Sequence, residues 1–422
     1  MADYKRKKVK KTFHHKNNHT QNYNVNTTNK KQKNTNVVPE ENIRVVRGSK
    51  IKKIQQTKFW VTTVTVICLL CILFSAILPG GLYENILNYS STLGHGTYPI
   101  SISGNSVTNS VNNNSYYYVL SDTNLTIYSN GGKIIFDEMH GFANPILSVS
   151  ETRALVYDQG GKNLYIYNTK GKIHTLTTEK EIITASISKN GDFAVSTHSD
   201  SYTSIVKVYN KKFKEIFTWN SAKDIVNNVL VNPNGNKLAV STFNVVSGQY
   251  SSKVLILGFE SADPLHTLDL GTSLALTLKN TGKGISVVCN DKYKFLHWSK
   301  YTSAEHVVSG EINLFRHSKN GVLLTVNRAN DRSDNTVLIL SNKGVKTSEF
   351  KINTAVTDIQ YKKGRVYSLS DTNINIYDKN GNLLKSSSST YGTKKISIIN
   401  SNIIAAITDN EITKITVQEG EN

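Results

Sequence analysis

Two patterns of apolar residues divide the chain. Residues 59–78 form one continuous apolar run without a charged side chain, whereas short apolar runs separated by polar turns fill the chain after Thr97. About 20 residues of helix cross the ~30 Å hydrocarbon core of a bilayer, so the first pattern predicts a single transmembrane helix. Short runs bounded by Asn, Asp and Gly are typical of β-strands, so the second pattern predicts an all-β domain.

The charges around the apolar run predict its orientation. Its side chains include Phe59, Trp60, Leu69, Leu70, Leu73 and Leu78. The basic residues just before it are Lys50, Lys52, Lys53 and Lys58. Basic residues beside a span stay on the cytoplasmic side, so we expect a cytoplasmic amino terminus and an extracytoplasmic β domain at the cell membrane. The alternative, a cleaved signal peptide, has a shorter charged start and a shorter apolar run, so an uncleaved signal anchor is predicted.

The formal net charge of +19 is concentrated in residues 1–58, where we count 16 of the 50 Lys and Arg and three of the 31 acidic residues. This tail is too poor in apolar residues to fold, so a disordered cytoplasmic segment is predicted. Beside a membrane, such a tail is attracted to anionic lipid headgroups. No aromatic stacking platform is interleaved with these charges, which argues against nucleic acid as the partner. The expected organisation is tail 1–58, helix 59–78, linker 79–96 and β domain 97–422.

The β domain repeats itself. SDTNLTIYSNGGK at Ser121–Lys133 returns as SDTNINIYDKNGN at Ser370–Asn382, and related strand endings lie between them. These endings are Tyr128, Tyr167, Tyr209, Leu257, Leu296, Leu340 and Tyr377. A period of about 40 residues with four strands, as in Ile183–Trp219, is typical of a β-propeller blade. A β-sandwich would not keep this period, and a β-helix repeats faster.

The blade count follows from the same markers. A further run that ends near Val417 makes eight units, with seven blades as the alternative. The last unit stops before its fourth strand, and a spare strand, TYPISIS at Thr97–Ser103, precedes the first unit. We therefore expect Thr97–Ser103 to complete the last blade and close the ring.

No motif of established chemistry is present. The chain lacks quinone-docking phrases, sialidase Asp boxes, a Gly-x-Ser-x-Gly elbow, a His-Glu-x-x-His zinc motif and a phosphate-binding loop. Cys289 is the only cysteine after the apolar run, so the β domain has no internal disulfide and no zinc site with several cysteine ligands. We predict no catalytic, cofactor-binding or metal-binding residues, and no enzyme.

Two longer loops occupy equivalent positions between the second and third strands of their units. They are Asn327–Asn335 (NRANDRSDN) and Val245–Ser252 (VVSGQYSS). Loops in one position of a propeller gather at one rim, where ligands or partners usually dock. The simpler interpretation is that both are tolerated surface loops.

The segments ILSVSETRALVYDQGGKNLYIYNTKGK and VNPNGNKLAVSTFNVVSGQYSSKVLIL, in a chain with a basic tail and one span, resemble the domain-of-unknown-function family 5711. This resemblance implies a membrane-anchored propeller of Gram-positive envelopes, and it implies no activity. The SKNG and NPNG turns are more loosely similar to those of WD40-like and TolB-like propellers. The function expected is a non-enzymatic scaffold of the cell envelope for a protein or wall-polymer partner. The alternative is a sensor or enzyme with a site at the propeller axis.

Overall fold

A computed structural model of the chain describes residues 58–71, 96–113, 116–318, 321–327 and 333–417. Residues 58–71 form a helix, α1. Within the described ranges, no helix has both the length and the apolar character needed to span a bilayer. Residues 1–57, the end of the predicted span and nearly all of the predicted linker lie outside the described residues.

In the described ranges, 32 strands form eight antiparallel sheets of four strands, which we number as blades. Blade 1 contains β2 (Val107–Asn112), β3 (Tyr116–Ser121), β4 (Asn124–Ser129) and β5 (Ile134–Met139). Blade 2 contains β6 (Pro145–Val149), β7 (Ala154–Asp158), β8 (Asn163–Asn168) and β9 (Gly171–Thr177). Blade 3 contains β10 (Ile182–Ile187), β11 (Phe193–Thr197), β12 (Ser204–Tyr209) and β13 (Glu215–Ser221). Blade 4 contains β14 (Ile225–Val231), β15 (Lys237–Val246), β16 (Gln249–Gly258) and β17 (Pro264–Gly271).

The remaining four blades follow the same order. Blade 5 contains β18 (Ala275–Thr281), β19 (Gly284–Cys289), β20 (Lys292–His297) and β21 (Ser303–Val307). Blade 6 contains β22 (Glu311–Ser318), β23 (Gly321–Asn327), β24 (Asn335–Ser341) and β25 (Lys346–Ile352). Blade 7 contains β26 (Asp358–Lys362), β27 (Arg365–Leu369), β28 (Asn373–Tyr377) and β29 (Leu383–Ser388). Blade 8 contains β30 (Lys395–Ile398), β31 (Ile403–Ile407), β32 (Glu411–Thr416) and β1 (Ile100–Ser101).

The first strands of consecutive blades contact one another, so they line the axis of the propeller. Burial changes along each blade in the manner this arrangement requires. The second strands β3, β19 and β23 are buried at every residue, whereas the fourth strand β21 alternates between exposed and half-buried residues. A sheet covered on both faces near the axis and only partly covered at its outer edge gives this gradient.

The ring is closed by the strand that precedes the first blade. Ile100 pairs with Ile412, and Ser101 pairs with Glu411 of β32. The predicted closure and the eight-blade count are therefore confirmed. The paired strand is shorter than Thr97–Ser103: it begins after Pro99, which has no N–H group to donate to a ladder, and it ends at Ser101.

The hydrophobic core is divided into eight clusters, one at each junction between blades. At the closing junction, Ile100 and Ile412 of blade 8 pack with Val107 and Tyr117 of blade 1. Each blade thus buries its apolar side chains only against its two neighbours, which is the reason that a single blade is not stable alone. Cys289 is a free, buried thiol within this core.

Candidate functional site

Connectivity assigns every loop to one of two rims. Because all four strands of a blade are antiparallel, the first strands begin at the rim that holds the loops between second and third strands. The connections between blades lie there too, and we call this side the loop rim. The turns that join first to second strands and third to fourth strands lie at the opposite side, the turn rim. Of the two long loops identified in the sequence, Val245–Ser252 therefore lies at the loop rim, as do Asn327 and Asn335, the described ends of the other.

At the loop rim, blade 4 extends beyond its own sheet. The pairing of β14 with β15 ends at Ile225 and Phe243, and the pairing of β16 with β17 ends at Ser252 and Gly271. Residues 244–251 pair only with each other and form a two-stranded projection, which we call the blade-4 ribbon. The sequence anticipated a longer loop at this position, and the structure shows a continuation of two strands.

The ribbon ends in a tight two-residue turn. Ser247 and Gly248 both have positive φ angles, 52° and 80°. Positive φ at both central residues is typical of the type I′ turn, whose twist matches that of the flanking strands. The turn therefore continues the strand geometry to the tip of the ribbon.

The side chains of the ribbon are apolar and solvent-exposed. Val245 is 62% exposed, Val246 is 56% exposed and Tyr250 is 47% exposed. Tyr250 lies edge-on to Phe243, with the ring centroids 5.9 Å apart. Because neither neighbouring strand reaches the ribbon, its outward backbone groups have no strand partner among the described residues. Unpaired strand edges of this kind accept another strand readily.

The mouth of the axis opens at the same rim. A cavity of about 590 Å³ lies between blades 1, 2 and 3. It is lined by Thr108, Ala143, Asn144, Pro145, Ile146, Gln159, Gly160, Ile182, Ile183 and His198. Thr108 and Ile183 lie at β-bulges of β2 and β10, and a bulged residue departs from the regular alternation of a strand. The bulges thus help to shape the mouth.

The polar groups of the mouth are largely used to hold its loops. Gln159 Nε2 donates to the Ile183 carbonyl over 3.0 Å, and the Asn144 N–H donates to Asp158 Oδ1 over 2.8 Å. No cluster of potential metal ligands occurs in the part of the chain that the structure describes. The mouth therefore offers a mixed apolar and polar surface.

The residues that the sequence marked for the membrane fall into two groups. Lys58, Phe59, Trp60, Leu69 and Leu70 lie on α1 with exposed side chains. The others, Lys50, Lys52, Lys53, Leu73 and Leu78, lie outside the described residues. Within the loop of blade 6, residues 328–332 also lie outside them.

Two residues at the axis were not identified from the sequence. Lys279 of β18 and His317 of β22 interact electrostatically across the junction between blades 5 and 6. In the sequence they lie beside other polar residues, Asn280 and Arg316, and they belong to no motif. Their equivalence to other axial positions could have been found only by aligning the eight units strand by strand.

Comparison with solved structures shows the fold. The computationally designed Ika8 protein matches 75% of this chain and 98% of its own, with a TM-score of 0.56 and 14% identity. The C-terminal WD40 domain of Sif2 matches 78% of this chain and all of its own, with a TM-score of 0.53 and 13% identity. BamB from Moraxella catarrhalis matches 76% of this chain and 98% of its own, with a TM-score of 0.51 and 10% identity.

No curated protein matches the chain. The sequence model of a family described as being of unknown function, DUF5711, matches residues 87–417. That match covers most of the chain and all eight blades, and it confirms the resemblance carried by the blade segments. The chain belongs to the family of unknown function DUF5711.

Proposed function

We propose that the protein is a non-enzymatic interaction module whose partner docks on the loop rim at the blade-4 ribbon. One observation carries this proposal: residues 244–251 form a strand pair with unpaired edges and exposed Val245, Val246 and Tyr250. Proteins usually cover, charge or shorten such an edge, and this ribbon carries no charged residue. An apolar, uncharged edge is therefore best explained as a surface that a partner covers.

The partner that fits the ribbon best is an extended protein segment. Such a segment can add a third strand to a ribbon edge, where backbone hydrogen bonds supply affinity and alternate side chains supply specificity. Val245 and Tyr250 are directly paired across the ribbon, so their side chains share one face. A partner strand with apolar residues at alternate positions would cover that face.

We further propose that residues 59–78 anchor the module in the cell membrane as a single span. The cytoplasmic tail would contact anionic lipid headgroups, and the propeller would lie in the extracytoplasmic envelope. The charge-free apolar run and the basic residues before it support this topology. Protease added to cells stripped of their wall should digest the propeller. Survival of the propeller until lysis would contradict the topology.

The docking proposal is tested by co-purification with the full-length protein. The test variant carries Val245→Thr and Tyr250→Thr, which keep β-propensity while removing apolar surface. The matched control is Val345→Thr, because Val345 is an exposed valine in a turn at the turn rim. We expect a specific protein to be captured by the wild type and the control and lost with the ribbon variant. Equal capture by all three forms, or capture of wall polymer alone, would overturn the proposal.

A second candidate is a sensor or enzyme that takes a ligand at the axis. The open cavity of about 590 Å³ at the mouth favours it, because ligand sites in ring-shaped folds lie in such concave places. A metabolite and glycan binding screen separates the two candidates. Saturable turnover of a small molecule without a protein partner would support the second.

A further inference from the structure

Hydrogen bonds between the first strands join neighbouring blades at the axis. In blade 3, Ser186 Oγ donates to the Val229 carbonyl of blade 4 over 2.6 Å. In blade 7, Gln360 Nε2 donates to the Ile396 carbonyl of blade 8 over 3.2 Å. The side chain at this position thus links a blade to the next one.

Lys279 occupies the equivalent position in blade 5. In each of these blades, one residue of the first strand is paired, through the second strand, with the repeat-marking residue near the end of the third strand. The residue just before it is Ser186 in blade 3, Gln360 in blade 7 and Lys279 in blade 5. Lys279 forms no hydrogen bond and no ion pair with any described residue. Its side chain is exposed by surface area, but it lies inside the ring, where surrounding protein atoms replace much of the water. This desolvation lowers the pKa of the ammonium group. Lys279 therefore presents an unpaired cation within the axis.

His317 of blade 6, which Lys279 influences electrostatically, also lacks a hydrogen-bond partner within the described ranges. His317 is equivalent to Asn280 of blade 5, which donates to the Val231 carbonyl of blade 4 and accepts a hydrogen bond from Trp298, both over 2.9 Å. In contrast, both ring nitrogens of His317 are buried without a hydrogen-bond partner. Buried polar groups are nearly always satisfied, so two unsatisfied nitrogens in one ring indicate a missing partner.

The charge around this pair is positive. Burial, Lys279 and Arg316 together lower the pKa of His317 to about 3, so the ring is neutral with one N–H donor. Arg316 pairs with Asp358, whose second oxygen accepts the Ile396 N–H over 2.8 Å. The Asp358 carboxylate therefore already has its partners, and the Lys279 ammonium has none among the described residues.

We propose that Lys279 and His317, on the first strands of blades 5 and 6 at the axis, together bind an oxyanion of the phosphate or carboxylate type. Lys279 donates to the anion as an ammonium, and the neutral His317 ring donates through its N–H. Lys279 supplies the net positive charge of the site, because Arg316 is already paired with Asp358. A cation is disfavoured by the same charge.

The anion site is distinct from the docking surface. Lys279 and His317 lie towards the ends of β18 and β22, near the turn rim, whereas the blade-4 ribbon lies at the loop rim. Loss of partner capture in a ribbon variant and loss of anion binding in an axial variant are therefore separate results. The anion would also bind at the axis without a protein partner.

The test measures binding of inorganic phosphate and of acetate to the purified full-length protein, with the ring NMR signals of His317 as the site-specific readout. Lys279→Met removes the cation, and Lys283→Met is the matched control, because Lys283 is an exposed lysine in the adjacent turn. His317→Asn, which copies Asn280, tests the second donor without introducing a new residue type at the axis.

We expect at least one of the two anions to shift the His317 signals of the wild type saturably. Lys279→Met should weaken that binding at least tenfold, and Lys283→Met should leave it unchanged. Binding of phosphate without acetate identifies a phosphate-type ligand, and binding of both identifies a carboxylate-tolerant site. No shift with either anion, or equal binding by the wild type and Lys279→Met, would overturn the proposal.

Discussion

Replacing His317 with Asn should reduce the sensitivity of the fold to acid. Burial, together with the charges of Lys279 and Arg316, lowers the pKa of folded His317 to about 3, from an ordinary value of 6.5. The unfolded chain therefore binds a proton at this residue more readily than the folded chain does. The contribution of the neutral ring to stability is complete above pH 6.5 and is lost as the pH falls towards 3.

The size of the effect follows from the shift. One pKa unit corresponds to about 1.36 kcal/mol. Between about pH 7.5 and about pH 4.5, the titration of His317 therefore lowers the free energy of unfolding of the wild type by about 3 kcal/mol. His317→Asn lacks this loss. Other titrating groups act on both proteins, so the difference between the two curves isolates residue 317.

The assay is urea denaturation of the wild type and His317→Asn at a series of pH values in chloride buffers. Chloride is chosen because an oxyanion bound beside the ring would raise the pKa of His317. The control is His198→Asn, which removes an exposed histidine at the loop rim. From about pH 7.5 to about pH 4.5, we expect the free energy of unfolding of the wild type and of the control to fall by about 3 kcal/mol more than that of His317→Asn. Parallel curves for the wild type and His317→Asn would refute the reasoning.

Three further substitutions test the fold. Ile100→Ala should lower the free energy of unfolding by about 2–5 kcal/mol, because Ile100 is buried at the closing junction. A decrease below about 0.5 kcal/mol in urea denaturation would contradict closure by β1. Asp358→Ala should lower the free energy of unfolding by about 3–5 kcal/mol, because the Arg316 guanidinium loses its carboxylate and the Ile396 N–H loses its acceptor. Thermal unfolding at the wild-type temperature would contradict this. Trp298→Phe should lower the free energy of unfolding, measured in urea, by on the order of 1 kcal/mol, because the hydrogen bond from Trp298 to Asn280 is lost. A gain in stability would contradict the importance of that hydrogen bond.

The repeat, the blade count and the ring closure could be predicted from the sequence because each depends on local signals. Asn190-Gly191 and Asn234-Gly235 recur at the same position of two blades, and both glycines have positive φ, as tight turns require. Closure followed from counting strands, because a last unit with three strands and a spare strand at the start fit together in only one way.

The axial pair could not be predicted, because its geometry depends on register. A β-bulge between Ile312 and Leu314 inserts an extra residue into β22 and reverses the alternation of side chains after it. A second bulge does the same between Ala275 and Thr277 in β18. Simple alternation therefore does not show that His317 and Lys279 interact at the axis, since neither bulge has a sequence signature.

The form of the blade-4 ribbon was also beyond sequence reasoning. VVSGQYSS contains serine, glycine and glutamine, which are typical of a loop. Ser247-Gly248 instead forms a turn between paired strands, and Val245 then lies opposite Tyr250. The difference matters for function, because a paired ribbon presents a fixed edge to a partner.

The proposed docking surface is tested most directly by site-specific photo-crosslinking in living cells. A photoreactive amino acid is placed at Val245 in the ribbon or, in a matched strain, at Val345 on the turn rim. The account predicts one discrete protein adduct from position 245 and none from position 345. Adducts of equal yield from both positions, or no adduct from position 245 in a folded protein, would contradict it.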